Sequence, residues 1–96
     1  MHEKAILKII KYLEEDVFEP KANWSKRKFQ EQSYARHTIN EIVELLMCTP
    51  FKSADMVVED YLFNMVLFSC MAKTERSKLI FSTARYVAED ILLIIT

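Results

Sequence analysis

His37, Glu41 and Glu44 are spaced by four and then three residues, so a helix that carries them sets all three on one face. An imidazole beside two carboxylates is the raw material of a metal site or an acid–base pair. Metal ligands in a helical bundle point inward from several helices, commonly through a Glu-x-x-His motif, and that motif occurs nowhere in the chain. Ala35, Ile39, Val43 and Leu46 lie on the opposite face, so the spacing predicts a solvent-side His–Glu pair and no metal. Glu59, Asp60, Glu89 and Asp90 are the carboxylates from which a metal-dependent enzyme would have to draw. His37 also follows Arg36, the setting of a phosphoaccepting histidine on a helix, but no glycine follows to let a partner approach closely.

Cys48 and Cys70 stand far apart among Leu, Met and Phe. They are expected to be buried, reduced thiols, and burial raises a thiol pKa instead of activating the group. Only His2 and His37 are available as bases, and His2 sits at an end expected to fray. No catalytic constellation emerges, and the chain is expected to be no enzyme and to need no cofactor.

Charge is unevenly spread. Lys21, Lys26, Arg27, Lys28 and Arg36 fall between positions 21 and 37 against one anion, Glu31. Five carboxylates then follow before position 73, against Lys52 alone. Lys26, Arg27 and Lys28 occupy what should be the first turn of a helix, where the macrodipole repels cations. Free N–H groups, flanking cations and the aromatic faces of Trp24 and Tyr34 form a possible contact for phosphate or for a stacked base. Against this, the net charge is −1, and no broad basic face or helix-turn-helix glycine is present. A solvated cationic helix start that matches an acidic patch on the same or a second subunit is the favoured explanation of the cluster.

The elements that must position these groups follow from one count. The chain of 96 residues contains no glycine, where average usage would give about seven. Tight hairpins and phosphate-cradling loops need glycine at positive φ, so an all-β fold and a nucleotide-binding loop are both disfavoured. Long helices with short joins remain, in a single domain spanning 1–96. Ile6, Ile9, Ile10, Leu13 and Val17 form one apolar stripe opposite Lys4, Lys8, Lys11 and Glu15, predicting a helix from Glu3 to Glu19 that Pro20 stops. A second helix is predicted from Lys26 to Met47, capped by Ser25, with Trp24 stapled onto Phe29 and with Ala35, Ile39, Ile42, Val43 and Leu46 buried. Thr49-Pro50 ends it. A third runs from Ser53 to about Lys73 and is apolar almost all round. A fourth runs from about Thr74 to the end, burying Ile80, Ala84, Val87, Ala88, Ile91, Ile94 and Ile95.

The longest nearly apolar run, Tyr61 to Ala72, is 12 residues, short of the roughly 20 that cross a membrane. The first residues lack the basic start and apolar stretch of an export signal, so a cytoplasmic location and no membrane partner are expected.

Leu79, Tyr86 and Leu93 recur every seven residues, away from the main stripe of the fourth helix. With the all-round apolar third helix, they offer more apolar surface than one small bundle readily hides. The expected architecture is an all-α, four-helix antiparallel bundle. If the chain runs on as helix through Ala72-Lys73-Thr74, the alternative is an open three-helix shape completed by dimerisation. The expected function is that of a small non-enzymatic interaction or regulatory protein that self-associates as a homodimer through Met56, Met71, Leu79, Tyr86 and Leu93, or docks another protein there. The alternative is a nucleic-acid-binding regulator that uses Lys21, Lys26, Arg27, Lys28 and Arg36.

Overall fold

The computed structural model describes residues 2–14 and 23–96. Four helices follow in order: α1 (Glu3–Leu13), α2 (Lys26–Cys48), α3 (Ala54–Met71) and α4 (Glu75–Ile95). The described residues contain no strand. The expected continuation of α1 through Glu15 and Val17 to Glu19, its stop at Pro20, and Lys21 all lie outside the described residues.

The joins are made by the local chemistry of the chain. Ser25 Oγ accepts the Lys28 amide at 3.2 Å, and Trp24 packs edge-on against Phe29 at 5.4 Å, fixing the entry of α2 as the spacing predicts. Thr74 and Ser77 form a reciprocal capping box that starts α4. Ser53 precedes α3 in extended conformation, but its side chain makes no capping bond, so Asp55 alone favours that helix start. Extended backbone at Ala72 separates α3 from α4, so the helix does not run through and the four-helix form holds.

Neighbours in sequence run antiparallel. His2, at the start of α1, donates from Nε2 to the Thr49 carbonyl at the far end of α2 at 3.0 Å, which ties down an end expected to fray. Tyr61 of α3 reaches Glu41 of α2, and Phe68 near the end of α3 meets Phe81 near the start of α4 at 5.4 Å. α3 and α4 make the most extensive contact. α2 and α4 also pack together, so that α1 and α3 each lie on this central pair and scarcely touch each other.

The core joins Ile9 of α1, Ala35, Ile39, Ile42 and Leu46 of α2, Val57, Val58 and Tyr61 of α3, and Val87, Ala88 and Ile91 of α4. Val43 and Ile95, expected to be buried, pack at its margin instead, and Ile10 is exposed. The molecule is flattened, at 39 × 32 × 19 Å. Its accessible surface of 6532 Å² exceeds the roughly 5,800 Å² usual for a monomer of this mass.

Candidate interaction surface

α3 positions the largest apolar surface. Its sequence is apolar at nearly every position after Asp60, so whichever side faces the core, the opposite side must carry apolar residues too. Val57, Val58 and Tyr61 turn inward. Met56, Phe63, Leu67 and Met71 turn outward and are 51%, 64%, 45% and 69% exposed. Their spacings of seven, four and four keep them in one line along the helix. At about 200 Å² for each large apolar side chain, these four present roughly 450 Å² to solvent, the size of the largest apolar patch on a typical monomer, which is often functional.

Phe63 and Leu67 were not among the residues singled out from sequence. The missed signal was the direction of the core face: once Val57, Val58 and Tyr61 define it, Phe63 and Leu67 fall on the far side. Cys70 lies three residues after Leu67 and is exposed for the same reason, while Cys48 is the last residue of α2 and is exposed beside Glu44 and Leu45. Neither thiol is buried, contrary to the expectation from their apolar neighbours in sequence.

The seven-residue series of α4 divides. Tyr86 and Leu93 are exposed, whereas Leu79 is partly buried. Leu79 and Tyr86 line a groove of about 390 Å³ between α1, α2 and α4, together with Tyr12, Arg27 and Gln32. There Tyr12 donates to Asp90 Oδ2 at 3.1 Å, and Arg27 pairs with Glu31 at 3.3 Å. The side-chain oxygen of Gln32 is buried without a hydrogen-bond partner. The structure therefore brings Leu79 and Tyr86 beside the basic cluster, and Tyr86 also borders a second groove with Ser69 of α3.

The basic cluster is partly engaged within the chain. The Lys28 ammonium lies 5.7 Å from the centre of the Trp24 ring, and Phe29 packs against the same ring at an interplanar angle of 75°. Lys26 and Arg27 meet Glu75 and Arg76 around a recess of about 450 Å³ at the starts of α2 and α4. Arg36 is exposed on α2.

The His–Glu pair forms as the spacing predicts: His37 Nε2 lies 2.9 Å from Glu41 Oε1 on the exposed side of α2. Glu41 has a second partner that sequence reasoning missed. Its Oε2 accepts the phenol of buried Tyr61 at 2.8 Å. Burial first, then the hydrogen bond to Glu41 and its negative charge, push the Tyr61 phenol well above its ordinary pKa. The remaining carboxylates are distributed: Asp60 pairs with Lys52 at 3.1 Å and Glu89 with Arg85 at 3.3 Å. Among the described residues, no three His, Cys, Asp or Glu side chains gather into a metal-binding set. No helix among them is long and apolar enough to cross a membrane. Comparison with protein-family models, with characterised proteins and with solved structures finds no match.

Proposed function

We propose that this chain is a small helical interaction protein, without catalytic activity of its own, that works by covering the outer face of α3 through self-association. The observation that carries this reading is the exposed line Met56–Phe63–Leu67–Met71. A standard protein interface covers about 800 Å² on each partner, of which a little over half is apolar. The roughly 450 Å² offered by these four residues matches that apolar share. Sedimentation equilibrium on Leu67→Glu and Tyr86→Glu tests it. Leu67→Glu is expected to weaken association at least tenfold, because it desolvates a carboxylate in the interface. Tyr86→Glu, on a different helix face, is expected to leave association unchanged. The reverse pattern would move the interface to α4.

The second reading, contact with nucleic acid, draws on the recess where Lys26, Arg27 and Arg76 converge at the starts of two helices. Each helix start adds partial positive charge there. If it holds, binding to duplex or single strands falls steeply with salt, and charge reversal at Arg27 and Lys28 abolishes it. The engagement of Trp24 and Lys28 within the chain favours the first reading.

A further inference from the structure

Resting on self-association through α3, we infer that the partner on this face is a second copy whose α3 runs antiparallel, with Leu67 of both copies at the two-fold axis. Charge along the helix selects this direction. From Ala54 to Asp60 there are three carboxylates and no cation; from Tyr61 to Met71 there is no charge at all; from Ala72 to Lys78 there are three cations and one carboxylate. Asp55, Glu59 and Asp60 at one end, where Lys52 already pairs with Asp60, and Lys73 and Lys78 at the other, are exposed, while Arg76 lines the recess shared with α2. Parallel pairing would set like charges side by side at both ends. Antiparallel pairing sets the acidic end of each copy against the basic α3–α4 corner of the other, and it also opposes the two helix dipoles.

The register follows from the apolar segment. Leu67 lies midway between Phe63 and Met71, so a two-fold axis there packs Phe63 of each copy toward Met71 of the other, and Leu67 toward its own equivalent. In an isologous interface each contact occurs twice, so Phe63, Leu67 and Met71 of both copies form the apolar seam, and Met56 lies past the end of the partner's α3, against its α3–α4 corner. At a rise of about 1.5 Å per residue, the two copies of Met56 are then about 33 Å apart along the helices.

Single-cysteine variants in a Cys48→Ser, Cys70→Ser background distinguish the arrangements by cross-linking with a short bismaleimide. The substituted positions are exposed, and circular dichroism checks that the variants keep their helices. Leu67→Cys is expected to give a covalent dimer and Met56→Cys none. Cross-linking at both positions would mean parallel helices and overturn the inference. Cross-linking at neither position, in a chain that still sediments as a dimer, would place the interface elsewhere and also overturn it. A monomeric mass for the unmodified chain would instead remove the reading on which the inference rests.

Discussion

The Tyr61 phenol of α3 donates a 2.8 Å hydrogen bond to Glu41 of α2, whose other oxygen meets His37. One carboxylate thus joins a buried phenol to an exposed imidazole, and it links two helices whose direct packing is otherwise slight. The bond lets α3 bury a tyrosine without stranding its hydroxyl, and so fixes which side of an almost uniformly apolar helix turns inward. The outward direction of Phe63 and Leu67 follows from that choice.

Tyr61→Phe is expected to lower stability by about 1 kcal/mol at pH 8, the usual net worth of such a bond. The raised phenol pKa also sets the pH dependence. A folded-state pKa above the unfolded value favours the protonated form, so its contribution is present in full below about pH 10 and is lost as pH rises beyond that. Urea unfolding at pH 8 and at pH 10.5–11 should therefore show the wild-type advantage over Tyr61→Phe shrinking with pH. An advantage that grows with pH would contradict the assigned bond.

The helix starts differ in a way that substitution can read. Ser25→Ala and Thr74→Ala remove side-chain caps and are each expected to cost about 1 kcal/mol. Ser53→Ala removes none and should cost no more than a few tenths. Thermal or urea unfolding of the three variants checks this, and equal losses at all three would count against the described geometry.

How much of this was legible in the residues varies by element. The N-cap at Ser25, the Trp24–Phe29 staple and the His37–Glu41 pair depend on spacing within a few residues, and the structure places all three as the spacing predicts. The absence of glycine pointed to helices because turn chemistry leaves little else. What spacing could not supply was orientation. A helix with a clear stripe, such as α2, announces its buried face, but α3 is apolar on all sides, so its solvent face was set by partners distant in sequence. That is why Phe63 and Leu67 were overlooked and why Cys70, in an apolar run, was expected inside. The groove that joins Arg27 to Leu79 and Tyr86 needed the pairing of α2 with α4, which no local pattern encodes.

Gln32 offers a test of the central packing. Its side-chain oxygen is buried and unpaired, a state that costs on the order of 1–3 kcal/mol. Gln32→Met keeps the volume and removes the orphaned acceptor, so the urea midpoint is expected to stay level or rise. A loss greater than about 1 kcal/mol would show that this oxygen has a partner.

The two exposed thiols act as reporters of the interface. In dilute solution both Cys48 and Cys70 are expected to react readily with a thiol reagent. As concentration rises, Cys70, beside Leu67, should react more slowly, whereas Cys48 at the end of α2 keeps its rate. Equal protection of both, or of Cys48 alone, would place the covered surface away from α3.

The most direct measurement is molar mass by light scattering over a concentration series in moderate salt. Covering the outer face of α3 predicts a mass rising to about twice 11.4 kDa and holding there. A mass fixed at the monomer value up to high concentration would show that Met56, Phe63, Leu67 and Met71 remain exposed in solution, and would contradict the account.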